Sequence, residues 1–172
     1  GDPVTWCHRM VVCPKKNGKP RRTVDFQPLN THATRKTHQT QSPFQQACMV
    51  PHNTKKTVFD CWNGYHSVPL HPDDRHLTTF ITPWGHYRYN TAPQGYIASG
   101  DGYSRCFDEI VSHIPNKTKC VDDSLLWVDN HTESFFNAIE WLDICGRHGI
   151  TLNPDKFIFS QDVVTFVGFE IT

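Results

Sequence analysis

The sequence has no net charge, no long apolar run and no paired cysteines, and each lack excludes a class of protein. Lys and Arg number 17, as do Asp and Glu, so the chain as a whole is neither a polycation nor an acidic tail. No stretch approaches the ~18 to 20 apolar residues that span a bilayer, so no membrane partner is expected. The seven cysteines, at 7, 13, 48, 61, 106, 120 and 145, form an odd set without a C-x-x-C pair. That is unlike a disulfide framework or a zinc ribbon and suits a reducing compartment. The opening GDPVTWCHRMVV has no charged leader, apolar core or small-residue cleavage site. The chain is therefore expected to be intracellular, in cytoplasm or nucleus, and not secreted. It also lacks an initiating Met and is expected to be a fragment. Internal repeats and low-complexity tracts are absent. At 172 residues one globular domain is the default.

Neutrality hides an asymmetry. Residues 1–57 hold ten Lys or Arg against two acids, Asp2 and Asp25, and residues 58–172 hold seven against fifteen, giving +8 and −8. A basic segment favours a polyanion and an acidic one favours cations, which is the division expected of a protein that handles phosphates through metal ions. Uneven surface charge is the plainer alternative.

The first basic cluster sits on a hairpin. RMVVCPKKNGKPRRTVDF, residues 9–26, reads as two strands around Asn17-Gly18, the strongest short-range hairpin signal. Residues 27–56 are polar and show little periodicity, with at most a short helix near Phe44 to Met49. Next, TVFD at 57–60 reads as a buried strand that ends on Asp60, followed by a Trp-Asn-Gly turn and a strand at 65–70. Pro72 starts a one-turn helix, and two strands follow at about 77–82 and 86–91. Tyr103, Cys106, Phe107, Ile110, Val111 and Ile114 recur at helical spacing, with Gly100 and Gly102 delaying the start to about Asp101. A second helix is predicted from about Glu133 to Arg147, with Phe135, Phe136, Ile139, Leu142 and Cys145 on its apolar side and Gly149 as its C-cap. The C-terminal KFIFSQDVVTFVGFEIT supplies two more strands. The fold class expected is α+β, a mainly antiparallel sheet covered by helices on one face.

The stretch TKCVDDSLLWV, residues 118–128, sets two acids between apolar runs. Adjacent carboxylates repel and are costly to desolvate, so a chain that keeps them near a sheet usually holds cations against them. Asp122 and Asp123 are expected at a hairpin turn, with Asp60 as a second source of carboxylate at a neighbouring strand end. Such a set suits two Mg²⁺ ions about 3.5 to 4 Å apart, which prefer hard oxygen ligands. An exposed turn is the alternative.

Five blocks, CPKKNGKPRRTVDFQPLN, VFDCWNGYHSVPL, FITPWGHYRYNTAPQGY, CVDDSLLW and FVGFEIT, resemble in order and spacing the fingers and palm of reverse transcriptases. The likeness is to gypsy-type long-terminal-repeat retrotransposons and retrovirus-like elements, and it runs from roughly Trp6 to Thr172. It implies a right-hand polymerase palm with a fingers subdomain: about 1–57 and 71–95 fingers-like, about 58–70 and 96–172 palm-like, with thumb, connection and RNase H absent. It implies RNA-directed DNA polymerase activity, a nucleotidyltransferase that extends a primer 3′-hydroxyl with deoxynucleotides. Asp60, Asp122 and Asp123 become the catalytic acids and, with the Cys61 carbonyl, the ligands of two Mg²⁺ ions, Mn²⁺ being a possible substitute. Lys15 and Arg21 match fingers residues that close over the incoming deoxynucleoside triphosphate. Tyr65 matches a steric gate against a ribose 2′-hydroxyl, and Gln94 a support for the nucleotide and template base pair. Phe166, Val167, Gly168, Phe169 and Glu170 match the primer grip. Expected partners are an RNA or DNA template-primer, deoxynucleoside triphosphates and the rest of a polyprotein with thumb, RNase H and integrase.

The departures are specific. Cys120 stands where the family places an aromatic, usually Tyr, Gln27 where Arg is common, and ASGDGYSRCF replaces the usual helix start. Cys120 and the altered helix start favour a second reading, a catalytically inactive retroelement-derived nucleic-acid-binding module, which the three retained acids oppose. A two-metal nuclease shares the acids but not the basic hairpin. A zinc protein fits less, because Cys145-x-x-His148 has no second pair at ligand spacing.

Overall fold

The computed structural model describes residues 6–34, 41–62 and 64–172, and the side chains of residues 62 and 65 lie outside that description. The chain divides into two compact units, one of Gly1–Thr37 with Tyr65–Tyr103 and one of His38–Gly64 with Ser104–Thr172.

In the first unit, β1 (His8–Pro14) and β2 (Pro20–Asp25) form the hairpin expected around Asn17-Gly18. Gly18 adopts φ 77°, a conformation open to glycine at no steric cost, and the Asn17 side chain accepts from the Lys19 N–H. The short α1 (Gln27–Asn30) follows. A 3-10 turn over Pro72–Thr78 leads into β4 (Phe80–Thr82), which pairs parallel with β1 and antiparallel with β5 (Gly85–Tyr87), giving the order β2-β1-β4-β5. Val24, Phe26, Leu29 and Phe80 form its core. Buried His8 is held there by a 2.8 Å hydrogen bond to the Leu77 carbonyl.

The second unit is built on α2 (Pro43–Cys48) and the central strand β3 (Lys55–Trp62). Beside β3 lies β7 (Asp123–Val128), then β6 (Lys117–Cys120); on its other side lie β8 (Thr151–Leu152) and β9 (Ile158–Gln161). A separate hairpin joins β10 (Val164–Phe166) and β11 (Phe169–Ile171). The pleat gives each face its own cover. Val58, Leu125 and Trp127 share a face and pack with Val50, Val164, Phe166 and Ile171. On the opposite face Phe59 stacks on Trp141 of α4 (His131–Arg147) at 5.7 Å, and Phe107 of α3 (Ser99–Ile110) lies 5.3 Å from the same indole. The helix α4 ends in a Schellman motif: Ile150 N–H donates to the Cys145 carbonyl at 2.9 Å, Gly149 N–H to that of Gly146, and Gly149 takes φ 68°.

Several expectations need correction. β3 does not end at Asp60, because β8 pairs with Cys61 and Trp62 and carries the strand two residues further. No strand forms at 65–70. Gly64–Ser67 is a 3-10 turn, and Pro69, which has no N–H to give a ladder, makes only an isolated bridge to Thr91. β5 stops at Tyr87, and the Thr78 hydroxyl accepts from the Tyr89 N–H at 2.9 Å. The helix α3 starts at Ser99 despite its glycines, and the Ser99 hydroxyl donates to the Pro93 carbonyl. The largest correction concerns α4. Ser134, Ala138, Trp141, Ile144 and Cys145 are buried, whereas Phe135, Phe136, Ile139 and Leu142 are exposed. Both arcs recur at helical spacing, and the buried one is that whose Trp141 packs on Phe59 and Phe107.

Candidate active site

The β6–β7 hairpin places the acid pair. Val121 adopts φ 55°, an unusual conformation for a β-branched residue, and with Asp122 it turns the chain so that Asp123 opens β7. The Asp122 carbonyl accepts from the Cys61 N–H at 2.7 Å, fixing the turn to the central strand. Antiparallel register then sets Cys120 opposite Asp123, and Asp123 opposite Asp60. Directly opposed residues point to one face of a sheet, so a thiol and two carboxyls form a row across three strands. The row continues the face that carries Val58 and Leu125, and Cys120 and Val167 both border that core. The direct neighbour of Asp60 is thus Asp123 rather than Asp122.

The electrostatics match the crowding. Burial, a hydrogen bond to the Asp60 carboxyl and the Asp60 charge push Asp123 up to about 6. Burial and then the Asp60 charge raise Asp122, while Lys119 and Lys156 pull it back. Asp122 Oδ1 is buried without a hydrogen-bond partner among the described residues. Such an orphan acceptor is costly unless something electropositive meets it. Lys156 Nζ donates to Asp60 Oδ2 at 3.0 Å. Lys119, on the other side, reaches the Ser104 hydroxyl at 3.3 Å and lies 5.4 Å over the Phe107 ring, and burial lowers its pKa.

The sequence pattern of the "Reverse transcriptase (RNA-dependent DNA polymerase)" family matches residues 9–171. The chain belongs to this family. The enzymatic polyprotein of Cauliflower mosaic virus (strain D/H) is 28% identical over 159 residues, which is 91% of this chain and 23% of that protein. The Pro-Pol polyprotein of Feline foamy virus is 27% identical over 163 residues, 92% of this chain and 14% of the other. A foamy viral protease-reverse transcriptase solved with double-stranded DNA matches with a TM-score of 0.91 over 99% of this chain and 30% of its own, at 22% identity, a likeness of fold alone. The native prototype foamy virus protease-reverse transcriptase matches at 0.87 and 25% identity, over 99% of this chain and 23% of its own. The chain spans less than a quarter of either polyprotein.

Reverse transcriptases generally use divalent metals, and the donor set of this family member can be tested for one. Among the described residues no three His, Cys, Asp or Glu side chains stand together as a ready-made cage. Magnesium seldom uses such a cage; one or two carboxylates plus substrate phosphates and water suffice. Hard carboxylate oxygens, the orphaned Asp122 Oδ1 and an ammonium already seated on Asp60 all mark a place that attracts positive charge. The residues fit a divalent ion.

The remaining expected site residues fall as follows. Cys61 lies in β3 beside Asp60, with its side chain buried. Lys15 is exposed at the start of the β1–β2 turn, its N–H bonded to the Lys19 carbonyl, and half-buried Arg21 lies in β2 opposite Cys13. Gln94 is exposed before Gly95, which takes φ 92° against the Val24 carbonyl and the Phe26 ring. The Tyr65 side chain lies outside the described residues. In the β10–β11 hairpin Val167 and Gly168 form the tip, at φ 45° and 85°, and Phe169 and Glu170 are exposed. Phe166 is 1% exposed, so it anchors the hairpin in the core and offers no surface to a primer. Exposed Phe44 of α2 meets Phe169 edge-to-face at 6.2 Å. Sequence reasoning missed Phe44, Lys119 and Lys156; Asn153-Pro154 signals the turn that carries Lys156 but not its contact with Asp60.

Proposed function

We propose that the chain is the polymerase domain of a reverse transcriptase, RNA-directed and deoxynucleotide-adding, from a gypsy-type or retrovirus-like element. The primer 3′-hydroxyl attacks the α-phosphate of a deoxynucleoside triphosphate, and pyrophosphate leaves. Asp60, Asp122 and Asp123 are the acids, and with the Cys61 carbonyl they would hold two Mg²⁺ ions, or Mn²⁺ in their place. Bound there, the ions would supply activation of the hydroxyl and neutralisation of the phosphoryl charge. The protein's own part is to hold the carboxyls in a fixed row with little reorganisation, since β3, β7 and the Asp122 turn are bonded to one another.

The observation that carries the reading is the Asp60–Asp123 pairing with Asp122 at the adjacent turn, in a chain matched by the family from residue 9 to 171. Residues of about 58–70 and 96–172, which carry the acids, are read as palm-like and those of about 1–57 and 71–95, which carry the basic hairpin, as fingers-like, with Lys15, Arg21, Tyr65 and Gln94 assigned to the nucleotide. Val167, Gly168, Phe169 and Glu170 are assigned to the primer strand. Solved relatives carry double-stranded DNA and an RNA/DNA hybrid, which supports a template-primer as the partner. The test is primer extension on an RNA template by the chain in its full parent polypeptide. Asp122→Asn is expected to slow incorporation by at least about 10²-fold, as for loss of a metal ligand or key electrostatic group; a near-normal rate would reject the assignment.

A further inference from the structure

Lys156 belongs to none of the site motifs, yet its ammonium occupies an oxygen of the central acid. Nζ donates to Asp60 Oδ2 at 3.0 Å, with the carboxyl side chain 13% exposed and the lysine 65% exposed. The arrangement is built from the backbone up. Asn153 donates its N–H to the Asp60 carbonyl at 2.9 Å, and its side chain caps the Pro154–Lys156 turn by accepting from the Asp155 N–H at 3.1 Å. The Lys156 N–H closes that turn on the Asn153 carbonyl at 3.3 Å. The segment carrying the lysine is therefore tied to the residue whose carboxylate it binds. Its charge also reaches further, since Lys156 lowers the pKa of both Asp122 and Asp123 and is itself raised chiefly by Asp60.

An ammonium and a divalent ion held on one carboxylate repel each other, so each weakens the other's hold. We propose that Lys156 is a built-in counter-cation that holds the Asp60 carboxylate until a divalent ion draws it away, so that the ion pair and metal loading oppose each other. The proposal rests on Asp60 being a metal ligand. Lys119 is placed differently: its ammonium meets the Ser104 hydroxyl, the Phe107 ring and the Val121 carbonyl, and its charge acts on Asp122. The lysine offsets part of the repulsion among the three carboxyls and sets how much metal is needed to load the site. Because its tip is exposed, it yields readily: a pair of this kind shifts an equilibrium by only about two- to fivefold.

The test pairs calorimetry with NMR on the chain, using Mn²⁺ for the first and Mg²⁺ for both. K156Q is expected to bind Mn²⁺ about two- to fivefold more tightly than the unaltered chain, and K156R no more tightly. In chain whose lysines are reductively ¹³C-dimethylated, the Lys156 resonance, assigned by its loss in K156Q, should move with Mg²⁺ toward that of exposed Lys16. It should stay in place when Mg²⁺ is added to D60N. Heat of Mg²⁺ binding with an unmoved Lys156 resonance, or an affinity unchanged or weakened in K156Q, overturns the proposal while leaving the metal site standing. Absence of any binding heat in the unaltered chain removes the metal reading as well.

Discussion

Asp60 and Asp123 face each other across β3 and β7, on one face of the sheet. Burial, and then the neighbouring Asp60 carboxyl, favour a proton on Asp123 and raise it to about 6, above the ordinary value near 3.9. The folded chain thus binds this proton more tightly than the unfolded chain. The favourable contribution is complete below about pH 4 and is lost as pH rises through about 6.

Asp123→Asn removes that dependence. Without divalent ions the variant should be the more stable at pH 7.5, by about 1 kcal/mol after allowance for partial exposure, and the gap should close toward pH 4.5. Urea unfolding at the two pH values measures it. A variant less stable at pH 7.5, or a gap that widens on acidification, would show that folding does not raise Asp123.

The two arcs of α4 separate by mutation. Trp141→Ala empties a site enclosed by Phe59 and Phe107 and should cost about 3 to 5 kcal/mol. Phe136→Ser, at a residue 64% exposed, should stay within about 0.5 kcal/mol. Thermal unfolding of both variants tests the burial pattern, and a reversed ranking would contradict it.

Lys56 is fully buried, and its ammonium donates to the Thr54 carbonyl at 2.8 Å and the Asp162 carbonyl at 2.7 Å. It therefore pins the turn between β9 and β10 to the central strand. Lys56→Met keeps the stem but leaves both carbonyls without this donor, so a loss of about 1 to 3 kcal/mol is expected in denaturant unfolding.

What the sequence made legible followed local chemistry. Asn17-Gly18 marked a hairpin because few residues tolerate positive φ there, Gly149 marked the end of α4 for the same reason, and the acids stood out because charge beside apolar strands is costly. What it left open depended on distant partners. Nothing in residues 118–128 says that Asp123, rather than Asp122, opposes Asp60; that follows from the register of β3 against β7. The apolar spacing of α4 fits two faces, and only the sheet beneath selects the one with Trp141. Lys156 reaches Asp60 through a turn bonded to the Asp60 backbone, 96 residues away in sequence, which no local pattern encodes.

The most direct test of the central claim is anomalous diffraction from crystals of the chain grown with Mn²⁺ and a template-primer, recorded above and below the manganese absorption edge. Manganese peaks are expected in contact with the carboxylates of Asp60 and of Asp122 or Asp123. Peaks elsewhere, with none at these carboxylates, would contradict it.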